Sequence, residues 1–339
     1  MKILFVNAHI GKGGGQAIQS TQLIKEIGKN HEVKLLTLKH KLNLVTPPKD
    51  TEYVGRFHFP LGIYYLYKRL KKINKKYDII VALDPYFSLP IVSLIKKPKI
   101  IRLGIDPIED LKIRNKKIFL VIYRLIFKSL LKKYSAVICN NRILKEKYKN
   151  FNTYFIPNGY DISKFNTESK VKSRKRLNLP NNKFILLYTG KIIPRKNLEL
   201  LFKSLGQLND IKLVIVGNKN EEHYGTAYFD YLVKKYNSVL NKVIFVDEQP
   251  PDKITYFLNA ADIFVFPSLL EGSPNSVLEA MGSKLPVLCL NTPEHKEIIK
   301  HKSTGILFKN EDHIVRYVNL LIYNLNHSTT VFIKVNAVL

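Results

Sequence analysis

The residues best placed to do chemistry lie in the run Phe266-Pro-Ser-Leu-Leu-Glu271-Gly272-Ser273-Pro274-Asn275-Ser276-Val277-Leu278-Glu279-Ala-Met281. Ser273 reads as an N-cap and Pro274 as a first helical residue. The run is therefore expected to turn from a strand into a helix whose first N–H groups favour an anion. Glu271 then stands in the turn, and Glu279 about a turn and a half into the helix. Two carboxylates flanking a helix N-terminus suit a ligand with hydroxyls at both ends and phosphates between, which describes a nucleotide sugar. An ordinary exposed helical glutamate is the plainer account of Glu279 taken alone.

A second run, Tyr188-Thr-Gly190-Lys191-Ile-Ile-Pro194-Arg195-Lys196-Asn197, gathers three cations after a strand, with Asn197 read as the cap of a following helix. Such charges suit a diphosphate, whose negative charge grows as it departs. A solvated loop of a lysine-rich chain is the alternative. A third run, Gly11-Lys-Gly-Gly-Gly15-Gln16, follows a strand and opens a helix, so its backbone is suited to approach an anion. Its spacing misses the dinucleotide fingerprint Gly-x-Gly-x-x-Gly, and the next strand ends in Thr37-Leu-Lys-His without the acid that fingerprint needs. A nicotinamide cofactor is set aside; a plain tight turn remains the alternative.

These runs need elements to hold them. Short Val- and Ile-rich runs alternate with helical segments, which predicts parallel sheets with right-handed crossovers. Strands are expected at Ile3–Asn7, Glu32–Thr37, Asp78–Leu83, Lys99–Leu103, Ala136–Cys139 and Tyr154–Ile156. A second set is expected at Phe184–Thr189, Lys212–Val216, Lys242–Val246, Ile263–Phe266 and Pro286–Leu290. Helices are expected at Gln16–Lys29, Ile118–Lys133, Leu198–Leu208 and Pro274–Met281. The pattern runs twice, and the polar stretch from Asn166 to Arg176 divides it, giving domains 1–165 and 166–339. Ligands gather at the carboxyl ends of parallel strands, and every run above falls there, as do Gly217-Asn218 and Gly104-Ile-Asp106.

The 339 residues suffice for two such domains, and 45% of them are hydrophobic. Cys139 and Cys289 sit in apolar strand runs and read as buried small hydrophobes in a reducing compartment. The longest apolar stretch, Ile118 to Phe127, is too short to span a bilayer, and the first six-residue apolar run is too short for a signal-peptide core. Net charge is +28, of which +21 falls in residues 1–160. A lysine-rich composition accounts for the total as well as a partner does. The asymmetry favours an anionic partner for the first half: a membrane surface, a phosphorylated acceptor or nucleic acid. No nucleic-acid motif supports the last. The stretches Tyr64–Lys72 and Ile118–Lys133 read as basic amphipathic segments suited to a membrane surface. Crossover helices with a lysine face would look the same. No acidic or histidine cluster has metal-ligand spacing, so no metal is expected.

In order along the chain, these runs resemble the retaining, GT-B-fold glycosyltransferases of the glycosyl transferases group 1 family, whose Glu-x7-Glu motif matches Glu271 to Glu279. The resemblance also takes in Pro157-Asn-Gly159-Tyr-Asp161 with Phe165, Leu213-Val-Ile-Val-Gly217 and Ala261-Asp262-Ile-Phe-Val-Phe-Pro-Ser. It implies two Rossmann-like domains facing across a cleft, the first holding the acceptor and the second a nucleotide diphosphate sugar. It further implies that Lys196 and Lys191, with Arg195, meet the donor diphosphate, that Glu279 holds the ribose, and that Glu271 lies near the transferred sugar. Backbone from Gly272 and Ser273 through Asn275, Ser276, Val277 and Leu278 would line the pocket. Gly14, Gly15, Gly190, Gly217 and Asn218 would complete the surround.

The chain departs from the family at five places, one of them the run Gly282-Ser-Lys284-Leu-Pro286-Val, where the family tends to have a glycine before the Pro-Val. Lys191 stands where arginine is usual, keeping charge without a bidentate fork. A family histidine is absent after Lys99–Leu103, and Asp106 is the candidate for its role. Pro293-Glu294 replaces a glycine pair. The end, Val331 to Leu339, reads as a strand rather than the family's closing crossover helix. The expected activity is metal-free sugar transfer from a nucleotide sugar to a glycan or lipid-linked acceptor, in the cytoplasm or at the inner membrane face. A nucleotide-sugar epimerase of the same fold and a non-catalytic anionic-surface binder are the alternatives.

Overall fold

The computed structural model describes residues 1–8, 15–39, 46–56, 60–159, 168–220 and 226–326. Residues 9–14, Gly14 among them, lie outside these, as do Asp161, Phe165 and residues 327–339. Two compact units form, Met1–Gly159 and Tyr160–Leu339. The charged stretch expected between the halves belongs to the second unit, where Lys170–Arg176 is a helix capped by the Ser169 hydroxyl.

The first unit holds a seven-stranded, wholly parallel sheet: β1 (Lys2–Asn7), β2 (Glu32–Lys39), β3 (Thr51–Arg56), β4 (Ile79–Ala82), β5 (Lys99–Leu103), β6 (Ala136–Cys139) and β7 (Thr153–Phe155). Their spatial order is β3-β2-β1-β4-β5-β6-β7. The first strand shows why the runs are continuously apolar: Leu4 and Val6 enter one core, and Ile3 and Phe5 a second core on the opposite face. The helix α1 (Gly15–Ile27) supplies Ala17 and Ile24 to that second core. On the larger core lie α2 (Leu61–Ile73), α3 (Ser88–Ser93), α4 (Pro107–Ile113) and α5 (Lys117–Leu131).

The second unit repeats the design with β8 (Phe184–Thr189), β9 (Ile211–Val216), β10 (Val243–Val246), β11 (Ile263–Phe266), β12 (Val287–Leu290) and β13 (Ile306–Phe308), ordered β10-β9-β8-β11-β12-β13 and again all parallel. The strand order reverses direction between β8 and β11, and a ligand crevice belongs at that point, outside the carboxyl ends. Two edge strands, β3 and β13, were not among the sequence expectations. The first is largely polar and the second only three residues long, because an edge strand needs less apolar sequence than a central one.

Both cysteines are buried, and burial pushes the Cys139 thiol up to about 12 and raises the Cys289 thiol well above its ordinary value. They are inert core residues, as their strand setting predicts. No described helix is long and apolar enough to cross a membrane.

Candidate donor site in the second unit

The turn after β8 and the turn after β9 touch. Gly190 has φ +148, and a Cβ built on Gly217 would sit 1.8 Å from the Gly190 carbonyl oxygen. Only glycine at 217 permits this approach. The ladder continues past the strands, with Ile192 N donating to Asn218 O at 3.1 Å. This brings Lys191, Arg195 and Lys196 back over the sheet. Pro194–Lys196 forms one 3-10 turn, closed by Asn197 in the left-handed conformation, φ 52. Asn197 therefore ends that turn rather than capping the following helix, α8 (Glu199–Leu205), whose cap position is Leu198. Asparagine suits the left-handed position because its short amide tolerates positive φ.

At the switch between β8 and β11 the two expected runs meet. Lys196 Nζ donates to Glu271 Oε1 at 2.5 Å, Ser268 Oγ donates to the same oxygen at 2.5 Å, and Arg195 lies 3.5 Å from it. Arg195 also donates to the Leu270 carbonyl. Lys196 Nζ sits 4.9 Å above the Phe266 ring, which stacks on Tyr188. Burial draws Lys196 down to about 8, against the opposing pull of Glu271. Burial alone would raise Glu271, but Lys196, Arg195 and the Ser268 hydroxyl outweigh it and hold the carboxylate at about 2. The pair is thus ionised at neutral pH, and two cations share one carboxylate.

Next to this cluster runs α11 (Asn275–Gly282). Pro274, not Ser273, occupies its cap position, and no side chain caps it. The amides of Val277 and Leu278 both close on the Pro274 carbonyl, at 3.0 and 3.3 Å, and the Val277 side chain is fully buried in the core. These two amides close the first turn of the helix. The turn residue Gly272 is buried, while Ser273, Asn275 and Ser276 are half-buried.

Glu279, one turn into α11, is half-buried with no carboxylate partner among the described residues. Burial pushes it up to about 7. It differs from Glu271 in this: one carboxylate is held ionised by cations, the other kept near half-protonation by desolvation alone.

The short helix after β12, Pro293–Ile298, adds side chains to which the sequence assigns no role. His295 is completely buried, its ring edge-on to Phe266 at 5.6 Å. Its Nδ1 donates to the Leu290 carbonyl at 2.7 Å, and burial lowers its pKa, so the ring is neutral. Glu294, in the place of the family's glycine pair, has a buried Oε2 without a partner and a carboxyl raised chiefly by burial. A histidine in a sequence Pro-Glu-His-Lys-Glu reads as exposed; only the sheet placement reveals its burial.

The first unit places the remaining candidates. Gly15 begins α1. Asp106 is buried, and its carboxylate caps α4 by accepting from Ile108 N at 2.9 Å and Glu109 N at 3.1 Å. It also takes the Tyr148 hydroxyl at 3.2 Å and Lys147 Nζ at 2.6 Å. One carboxylate oxygen caps the helix and the other is held by Tyr148 and Lys147, so Asp106 is engaged as a structural cap.

Residues 169–330 match the family model described as Glycosyl transferases group 1. The chain is 33% identical over 161 residues to "Putative teichuronic acid biosynthesis glycosyltransferase TuaC" of Bacillus subtilis, covering 46% of this chain and 38% of that one. It is 30% identical over 181 residues to the Escherichia coli UDP-Gal:alpha-D-GlcNAc-diphosphoundecaprenol alpha-1,3-galactosyltransferase, covering 49% and 43%. The matched part thus spans less than half of either relative's length. Among solved structures, Anabaena HepE in complex with UDP and glucose superposes with TM-score 0.80 at 20% identity, over 100% of this chain and 94% of that one. Over residues 169–330 the chain therefore carries the Glycosyl transferases group 1 sequence pattern, within a fold of two Rossmann-like units shared with solved GT-B glycosyltransferases.

Proposed function

We propose that this protein is a retaining glycosyltransferase that moves a sugar from a nucleotide diphosphate sugar to a glycan or lipid-linked acceptor without a metal. The observation that carries this reading is the arrangement at the switch of the second sheet. Lys196 and Arg195 converge on Glu271, with the unpartnered Glu279 carboxyl one turn into the adjoining helix. When the sugar's anomeric C–O bond breaks, negative charge collects on the diphosphate. Lysine and arginine side chains fixed beforehand stabilise that charge more in the transition state than in the ground state. Glu279 suits a pair of ribose hydroxyls, whose O–H groups would supply the donors it lacks. Retention at the anomeric carbon follows from the Glu-x7-Glu resemblance. The sugar complexes of HepE and the lipid-linked substrate named for the Escherichia coli relative support the donor and acceptor classes.

The acceptor reading extends to a surface. The helix α5 buries Tyr123, Phe127 and Leu131 and exposes Ile118 and Leu125, each 75% accessible, with Phe119, Val121, Ile122 and Ile126. Phe127 is thus committed to the core and not open for insertion. Lys116, Lys117, Arg124, Lys128, Lys132 and Lys133 lie within this helix or at its ends. A long exposed apolar face on a helix rich in cations fits reversible binding to an anionic bilayer, where a lipid-linked acceptor resides.

The test is calorimetric titration of the intact chain with UDP, GDP and ADP and their sugars, followed by product analysis with the donor that binds. Tight binding of one nucleoside diphosphate, lost in Glu279→Gln, is expected. Absence of binding to any of them would overturn the donor reading.

A further inference from the structure

Two arginines among the described residues are under a tenth exposed, Arg174 at 5% and Arg102 at 6%. Arg174 is saturated. Its guanidinium meets the Asp262 carboxylate at 2.6 Å and donates to the carbonyls of Ala260, Pro180, Asn181 and Lys183 between 2.9 and 3.3 Å. Among the described residues Arg102 has one hydrogen-bond partner, Asn158 Oδ1, at 2.5 Å from Nη2. No carboxylate of the described residues pairs with it, and burial pulls its pKa down with no acid to oppose. A guanidinium offers five donors in a rigid fork, and burying one beside no counter-ion is costly. Arg174 shows how this chain satisfies such a group when the purpose is structural.

The surroundings of Arg102 are those of a binding site. It lies on β5, one residue before the strand ends, in register with Ile138 of β6. Asn140, the residue that follows β6, is 5% exposed, and its Oδ1 is buried without a partner among the described residues. Its Nδ2 donates to the Gly104 carbonyl at 3.1 Å. A Cβ on Gly104 would lie 3.9 Å from both the Asn140 amide and the Gln16 side chain. The first turns of α1 are tied to the same strand ends, Gln16 to the Leu83 carbonyl at 2.7 Å and Gln19 to the Gly159 carbonyl at 3.2 Å. No acid occupies the first turn of α1 to answer its positive end.

We propose that Arg102 and Asn140 form an oxyanion site in the first unit, taking a phosphate or carboxylate group carried by the acceptor. The open N–H groups of Arg102 hold the anion's oxygens, and the Asn140 carbonyl oxygen accepts from a hydroxyl of the same ligand. Asn158 fixes the guanidinium from behind. The assignment to the acceptor rests on the glycosyl-transfer reading; the anion site itself does not.

The experiment titrates the intact chain, with UDP at saturation, with inorganic phosphate, glycerol phosphate and acetate in turn. Binding is followed by calorimetry for each and by phosphorus NMR for the two phosphates. At least one probe is expected to bind saturably, and the tightest one distinguishes free phosphate, a phosphate ester or a carboxylate as the source. In Arg102→Gln that binding should fall roughly tenfold or more, with UDP affinity unchanged. Arg102→Lys should fall between the two and carries the test if Arg102→Gln does not fold. Asn140→Leu should weaken the hydroxyl-bearing ester more than acetate. No binding of any probe, or equal binding by wild type and the Arg102 variants, overturns the proposal. Failure of UDP to bind while the Arg102-dependent anion binding persists overturns the donor reading and leaves this site standing.

Discussion

Lys196 and Glu271 stand 75 residues apart in the chain, and their side chains meet at 2.5 Å, out of solvent, beneath Arg195. Their contact joins the loop after β8 to the loop after β11 at the place where the sheet reverses its strand order. It positions Lys196 and Arg195 and offsets one of their two positive charges.

Removing one partner should therefore cost more than removing both. Lys196→Met leaves the Glu271 carboxylate buried with a weaker counter-ion, and a loss of about 3–5 kcal/mol is expected. Adding Glu271→Gln to it should recover part of that loss, with a coupling of about 0.5–3 kcal/mol. Chemical denaturation of the two single variants and the double variant measures this. Additive losses would show the pair to be uncoupled.

The Glu279 carboxyl gives a pH signature. Its pKa is raised from 4.5 to about 7 in the folded chain. The unfolded chain ionises first, so this group's contribution is fully present below pH 4.5 and is lost as pH rises toward 7. Glu279→Gln should flatten the stability-pH curve over that window. Hydroxyl donors from a bound ribose favour the ionised form, so binding of a nucleotide sugar should strengthen as pH rises through 7 and release protons. Calorimetry in buffers of different ionisation enthalpy counts those protons; the same count in wild type and Glu279→Gln would contradict the ribose assignment.

Gly217 has no room for a methyl group. Gly217→Ala drives a carbon into the Gly190 carbonyl, and overpacking of this kind costs about 1–3 kcal/mol. Because the displaced backbone leads directly to Lys191, nucleoside diphosphate affinity should fall along with the melting temperature. A variant that melts earlier yet binds normally would place the phosphate contacts elsewhere.

Sugar transfer should proceed in excess chelator, because the charge that stabilises the departing diphosphate is supplied by Lys196, Lys191 and Arg195. Activity abolished by chelation and restored by magnesium or manganese would require a metal instead.

The α5 face should hold the chain on anionic vesicles and release it as salt rises, since each basic side chain near such a surface contributes about 1 kcal/mol. Leu125→Glu and Ile118→Glu alter exposed positions, so stability should change by no more than about 0.5 kcal/mol while co-sedimentation drops. Equal recovery of wild type and both variants, or equal binding to neutral vesicles, would remove this face from membrane docking.

Much of this molecule was legible in one dimension because a central parallel strand is buried on both faces and must be apolar throughout. Phe184–Thr189, Lys99–Leu103, Ala136–Cys139 and Ile263–Phe266 begin and end where their residues predict. Loops are harder. Ser273 and Asn197 have the right type for helix caps, yet Pro274 and Leu198 take those positions. Cap propensity is worth only about a kilocalorie per mole, and the close approach of neighbouring loops overrides it.

Residue type and order by themselves determined the two parallel α/β units and marked Glu271, Glu279, Lys191, Arg195 and Lys196 as the groups to watch. Tertiary structure alone decided which of them touch. Asp106 became a helix cap, His295 a buried ring with an unpartnered Nε2, and Arg102 a buried cation with no carboxylate partner among the described residues. Sequence spacing reports the period of an element and so the face a residue occupies. Whether a charged side chain on that face finds a counter-ion depends on residues brought in from strands far along the chain, and that pairing, not the residue's type, sets its ionisation and its availability to a ligand.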